Sequence, residues 1–317
     1  MGQQNPTVMI SLGGNAISPK NESGTIEEQF AHTKESLTAV MGFVKRRYNI
    51  CIAHGNGPQV GAELQRNELT QDVIPPLPLG VLVANTQGAI GYMIQQSLQN
   101  ALYKEDTNRE VVSVISQVKV DKDDPELMDP KKYIGKSYDK ETAEDLSKKH
   151  NWTVKEQESG IWRRVVPSPK PLYIFNGKSI KHLVNYGTIV IAGGGGGIPA
   201  YNDKDGILHG LDAVIDKDYS AALLGRIIRA DELFMITDVD NVFLNYKQDN
   251  EQKLDKCTVS EAEKYLNEGH FGAGSMEPKI KSAIYFLEHY GKKVVLTSLN
   301  RLEDALKGNS GTTITRD

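Results

Sequence analysis

Short runs of β-branched and other apolar residues recur along this chain, most of them followed by a segment of helical periodicity, and that alternation leaves few folds open. A strand leading into a helix and back into a strand is a βαβ unit. Repeated, such units build a largely parallel sheet with helices on its faces. The runs are TVMISL (7–12), NICIAH (49–54), REVVSVIS (109–116), TIVIA (188–192), ELFMIT (232–237) and KVVLT (293–297), with GTTIT (311–315) as a further candidate. Helices are expected near 26–47, 58–70, 84–103, 176–186, 212–229, 260–267 and 277–290. Ser260 with Glu263 reads as a capping box, and Ser275 followed by Pro278 suits a first turn. Ile215, Tyr219, Ala222 and Leu223, and likewise Ile280, Ile284 and Leu287, give their helices one buried face. The expected fold class is α/β, a three-layer α/β/α sandwich around an open sheet.

In such sheets ligands bind in the crevice outside the carboxyl ends of the strands. Three of the runs end in glycine loops: Gly13-Gly14-Asn15, His54-Gly55-Asn56-Gly57-Pro58, and Gly193 to Gly197. Five consecutive glycines forfeit much backbone entropy on folding. Bare backbone there can approach a ligand and aim N–H donors at an anion. A flexible connector is the alternative, but a connector is rarely abutted by a buried strand and closed by Ile198-Pro199. Strict phosphate motifs are missing. Gly135-Lys136-Ser137 and Gly177-Lys178-Ser179 lack the first P-loop glycine, and Pro199 is awkward within Gly195-x-Gly197-x-x-Ala200 as a dinucleotide fingerprint.

Two lysines add a second signal. Lys217 and Lys279 each fall in the first turn of an expected helix, where the macrodipole disfavours a cation. An anionic ligand would reverse that penalty, whereas solvent screening would make each an ordinary surface lysine. Asp218 is either a first-turn acid stabilising its helix or a group that orients the lysines.

The net charge of −4 supplies no general attraction to nucleic acid or anionic membranes. No segment approaches the ~18 apolar residues of a membrane span, and the N-terminus lacks a basic, then long apolar, leader. Cys51 and Cys257 suit reduced thiols better than a disulfide framework or zinc site. A cytoplasmic protein without nucleic-acid or membrane partners is expected, its 317 residues enough for about two domains or for a single large α/β domain. Residues 121–165 break the pattern with 21 charged residues in 45. They read as a small protruding subdomain, a lid, or as a solvated insertion without chemistry.

LGGNAI, AHGNGPQVG, WRRVVPSPKP, IAGGGGGIPA, AVIDKD, TDVD and GSMEPK, in that order and nearly spanning the chain, resemble the carbamate kinases of the amino-acid kinase family. The resemblance implies an α/β/α homodimer with a protruding subdomain and reversible Mg²⁺-dependent phosphoryl transfer between ATP/ADP and carbamate/carbamoyl phosphate. That activity serves arginine catabolism through the arginine deiminase pathway, in the direction of ATP. Carried over by position, Gly13, Gly14, Asn15, Gly55 and Asn56 surround the phosphoryl group and carbamate, with Gly194 and Gly195 in the same crevice, where side chains would obstruct substrate. Thr237, Asp238, Val239, Gly274, Ser275, Met276 and Lys279 resemble the nucleotide-binding edge. Lys217 and Lys279 resemble lysines that neutralise the phosphoryl group, held by Asp218, and the resemblance implies Mg²⁺ bound through nucleotide oxygens and water more than through a protein cage. The family's Thr-Lys-Pro-Ile-Gly-Pro stands here as Lys131-Lys132-Tyr133-Ile134-Gly135-Lys136. Aligning on Ile134-Gly135 places the lid lysine at Lys132, with Lys131 and Lys136 as competing assignments. An acyl kinase such as acetylglutamate kinase shares the fold, but Gly14 and Asn15 replace the lysine expected there. A noncatalytic nucleotide sensor is the remaining alternative.

Overall fold

The computed structural model describes residues 5–14, 17–18, 24–272 and 276–317. Its centre is an eight-stranded sheet in the order Lys256–Thr258, Thr312–Thr315, Lys293–Ser298, Glu232–Thr237, Thr7–Leu12, Asn49–His54, Ile189–Ile191, Val111–Ser113. Only the pairing of Lys293–Ser298 with Thr312–Thr315 is antiparallel; the other six are parallel. Successive residues of a strand point to opposite faces, so the central strands feed two cores. Val8, Ile10, Leu12, Ile50, Ile52 and Phe234 pack with the helices Ile26–Lys45 and Leu79–Lys104 on one face. Met9, Cys51, Ala53, Leu233 and Met235 pack with Gly177–Tyr186, Lys217–Ile228, Val259–Asn267 and Met276–His289 on the other. This is the expected three-layer α/β/α architecture, and no described helix is long and apolar enough to cross a membrane.

Several boundaries differ from expectation for local reasons. The run at 109–116 pairs only over Val111–Ser113, as the edge strand. The helix expected from 212 starts at Lys217, because the Asp216 side chain accepts from the N–H groups of Asp218 and Tyr219. Thr258 and Glu261 form the capping box assigned to Ser260 and Glu263, so that helix begins at Val259. Ser275 lies outside the described residues, while Pro278 does sit in the first turn of Met276–His289.

Residues 121–165 contribute a separate three-stranded antiparallel sheet, Lys132–Tyr138, Ile161–Val166 and Thr153–Glu158, with the helix Lys140–His150. A third apolar cluster fastens it to the main body: Ile134 and Val166 pack with Val60, Leu64, Leu79, Leu82 and Val83 of two main-body helices. Tyr138 reinforces this seam by donating to Glu68 Oε2 at 2.7 Å. Gln117–Lys119, Tyr173–Ile174, Ile198–Asn202 and Leu208–Gly210 form a further four-stranded sheet.

Phe234 is fully buried and meets Phe43 edge-on at 4.9 Å between centroids. Phe234→Ala should therefore cost about 3–5 kcal/mol in chemical denaturation, the usual range for deleting a buried aromatic side chain. A loss below about 1 kcal/mol would mean that this face of the sheet repacks and does not depend on the aromatic pair.

Candidate active site

The parallel pairing brings the carboxyl ends of Thr7–Leu12, Asn49–His54 and Glu232–Thr237 side by side. A cavity of about 380 Å³ opens there, lined by Gly13, Gly14, Gly55, Asn56, Gly195, Lys132, Lys217 and Lys279 among others. The loops touch closely: a Cβ at Gly55 would lie 2.7 Å from the Gly14 amide nitrogen. The Gly13 and Gly55 N–H groups are spent on the sheet, donating to Ile236 O and Leu12 O. The start of the helix Gly57–Thr70, where Asn56 provides no side-chain cap, can offer backbone donors to a ligand.

The five-glycine loop differs in detail from the expectation that side chains would obstruct substrate. Gly193, Gly195, Gly196 and Gly197 all have positive φ, from 62° to 93°. Added Cβ atoms would run into the protein itself: His54 at Gly194, Asn56 at Gly195, the Ile215 carbonyl at Gly196 and Val118 at Gly197. Gly195 reaches the cavity lining, whereas Gly194 is buried against His54 and Gln87. The loop is bare chiefly so that it can lie flat on the residues that shape the site.

Lys217 and Lys279 converge on one carboxylate. Lys217 Nζ donates to Asp218 Oδ1 at 2.6 Å and Lys279 Nζ to Asp218 Oδ2 at 2.8 Å. Asp218 Oδ1 also accepts from Ser11 Oγ at 3.0 Å, and Lys217 reaches the same hydroxyl at 3.2 Å. Burial would raise the Asp218 carboxyl, but the two ammonium groups outweigh it and hold it well below the ordinary carboxylate range. Burial acts to lower Lys279, yet Asp218 keeps it above its ordinary value. The cluster thus sets two lysines against one buried carboxylate, with Lys132, Asp216 and Asp238 as further charged groups lining the cavity. Asp218 is the orienter of the two alternatives its position allows, with Asp216 serving as the helix cap.

Lys132 begins the first strand of the small sheet, and its Nζ lies 3.1 Å from Asp216 Oδ2 at the cavity rim. Lys131 turns to Asp129 at 2.8 Å, and Lys136 sits 5.0 Å over the Tyr138 ring. Of the three lysines, Lys132 is the one lining the cavity.

A second cavity of about 330 Å³ adjoins the first, sharing Thr237, Asp238 and Lys279. Val239 and Met276 line it as well, with Phe243, Tyr246, His270 and Phe271 as aromatic walls. Asn15, Gly274 and Ser275 lie outside the described residues. Open clefts of about 720 and 730 Å³ lie elsewhere. Convergence of charge singles out the site, and size does not.

Sequence reasoning misses Ser11, a polar side chain between the apolar Ile10 and Leu12 of the run TVMISL, and that interruption is the available signal. It also misses Asp216, legible as a helix cap, and the aromatic walls, which carry no spacing pattern. Among the described residues no three His, Cys, Asp or Glu groups gather as a metal cage. Both Asp218 oxygens are engaged by lysines.

A carboxyl held below its ordinary value stabilises the fold above the unfolded-chain value near ~3.9, and that contribution fades as pH falls through the lower folded value. Asp218→Asn should cost about 3–5 kcal/mol by stranding two buried ammonium groups. In melts of both proteins the gap should stay constant from about pH 8 to 5 and narrow only below about pH 4. A gap that closes by about pH 6 would assign the stabilisation to another group.

The amino acid kinase family profile matches residues 6–298. A carbamate kinase from Pyrococcus horikoshii is 43% identical over 310 residues, covering 97% of this chain and 98% of its own. Another, from Thermococcus kodakarensis, is 44% identical over 313 residues, 98% and 99% of the two chains. The solved structure of carbamate kinase from Giardia lamblia bound to AMP-PNP matches with a TM-score of 0.92 at 38% identity, covering 99% of each chain.

Proposed function

The chain belongs to the amino acid kinase family, and from that premise we propose that it transfers a phosphoryl group reversibly between ATP and carbamate, forming ATP from ADP and carbamoyl phosphate. The observation that carries this reading is the Lys217–Asp218–Lys279 cluster at the junction of a glycine-lined and an aromatic-lined cavity. Adenine and ribose fit the aromatic cavity, the phosphates cross at Thr237, Asp238 and Lys279, and the carbamoyl end rests among Gly13, Gly14, Gly55 and Asn56. The Giardia relative bound to AMP-PNP supports the nucleotide assignment.

The β-phosphate oxygen of ADP attacks phosphorus while the bond from phosphorus to the carbamate oxygen breaks, so ATP and carbamate leave in balance. Such a transition state spreads charge over the equatorial oxygens and needs positioning and cations more than a covalent partner. Lys217 and Lys279 supply fixed cations, Asp218 keeps them apart and aimed, and Lys132 approaches from the small sheet acting as a lid. Mg²⁺ would be held through nucleotide oxygens and water more than by side chains, and would neutralise phosphate charge there. A homodimer working in the cytoplasm at the last step of arginine catabolism completes the reading.

A coupled assay should detect Mg²⁺-dependent ATP formation from ADP and carbamoyl phosphate. ADP binding with no turnover above background would favour a nucleotide sensor. Lys217→Ala and Lys279→Ala should each lower kcat roughly 10²-fold or more. Near-normal turnover in either folded variant would remove that lysine from the mechanism.

Lys132→Ala should depress kcat while ADP affinity and Tm hold, because a contact made on the transferring group does not contribute to nucleotide binding. Lys131→Ala and Lys136→Ala should do far less, as exposed lysines with screened partners. Kinetics and calorimetric ADP titration on the three variants check this. A damaging Lys136→Ala would move the lid assignment by four residues along the chain.

A further inference from the structure

His54 ends the central strand Asn49–His54, is 1% exposed, and has no part in the transfer just described. Its Nδ1 lies 2.9 Å from the Gly55 carbonyl oxygen. A carbonyl oxygen only accepts, so Nδ1 carries the proton. Burial keeps the ring neutral, pushing its pKa down to about 4 against the opposing effect of that hydrogen bond. The ring is also clamped from its other side. A Cβ at Gly194 would lie 2.5 Å from both Cε1 and Nε2, and Gln87, which borders the same glycine, is tied to Ser116 by accepting from its N–H at 2.7 Å.

The consequence falls on the next peptide unit. In a trans peptide the C=O and the following N–H point in opposite directions, and no cis peptide occurs among the described residues. Anchoring the Gly55 carbonyl on the buried ring therefore turns the Asn56 N–H away from it. Gly55, Asn56 and Gly57 line the glycine-walled cavity, whereas His54 does not. The Asn56 side chain is fixed separately, donating from Nδ2 to Thr86 Oγ1 at 2.9 Å, which donates onward to Val83 O at 2.8 Å. Ring and amide together leave this turn one orientation.

We propose that His54 is a positioning residue for phosphoryl transfer: its Nδ1–H fixes the Gly55–Asn56 peptide so that backbone donors at the start of Gly57–Thr70 are preset for the charge developing on the transferring and leaving oxygens. The inference rests on the carbamate kinase reading. It assigns His54 no proton transfer. Preset donors stabilise a transition state because nothing need reorganise at the moment of reaction.

The test measures kcat at saturating MgADP and carbamoyl phosphate, ADP affinity by calorimetry, and Tm for the parent, His54→Leu, His54→Asn and His54→Gln. An Asn amide N–H takes the place of Nδ1–H, whereas a Gln amide reaches the Nε2 position. His54→Leu and His54→Gln should lose roughly 10- to 10²-fold in kcat with ADP affinity unchanged, and His54→Asn should recover most of it. Parental kcat in folded Leu and Gln variants, or equal loss in all three, overturns the inference. Should His54→Leu not fold, the comparison of Asn with Gln decides by the same criterion. A parent inactive with carbamoyl phosphate overturns the functional reading and this inference with it, while an active parent with insensitive variants overturns this inference alone.

Discussion

The carboxylate of Asp218, buried between two ammonium groups, is the interaction on which the site depends. Lys217 and Lys279 stand in the first turns of their helices, where helix dipoles oppose a cation. Both side chains are mostly buried, 19% and 14% exposed, so solvent relieves little of that opposition. Asp218 offsets one charge and spaces the pair, and Ser11 ties the carboxylate to the central strand Thr7–Leu12. Asp216 and Asp238 line the same cavity and act on Lys279 as well.

Everything around this cluster follows from where a parallel sheet ends. Because Thr7–Leu12 has Glu232–Thr237 on one side and Asn49–His54 on the other, their following loops must share one crevice. Glycine at positions 13, 14 and 55 lets those loops touch, and glycine at 193–197 lets a fourth loop lie against His54 and Asn56. Lys132 reaches the rim from a sheet that shares an apolar cluster with two main-body helices. The same cluster joins that sheet to the helix Gly57–Thr70, whose first turn borders the cavity.

The large sheet and its helices are legible in the chain because run length and apolar period are local properties. The four-stranded sheet is not, since Gln117–Lys119 finds its partner at Ile198–Pro199-Ala200 through contacts that no local pattern encodes. Lys217 and Lys279 announce themselves as cations in unfavourable places, with Asp218 beside Lys217, whereas Ser11 shows only as a polar interruption of an apolar strand. Lys132 cannot be told from Lys131 by composition; the difference is that strand pairing with Val166 places it at the rim, while Lys131 meets Asp129. The glycine run points to close approach correctly, but the approaching atoms belong to His54, Asn56, Ile215 and Val118 as much as to any ligand.

The central claim is that Asp218 makes Lys217 and Lys279 one functional unit, and a double-mutant cycle measures that directly. The parent, Lys217→Met, Lys279→Met and the double variant would be compared in ATP formation from ADP and carbamoyl phosphate. Residues that act as a unit are strongly non-additive, so the double variant should lose little more than the worse single variant. Losses that multiply, with the logarithms of the two single effects summing to that of the double, would contradict the account and make the lysines independent contributors.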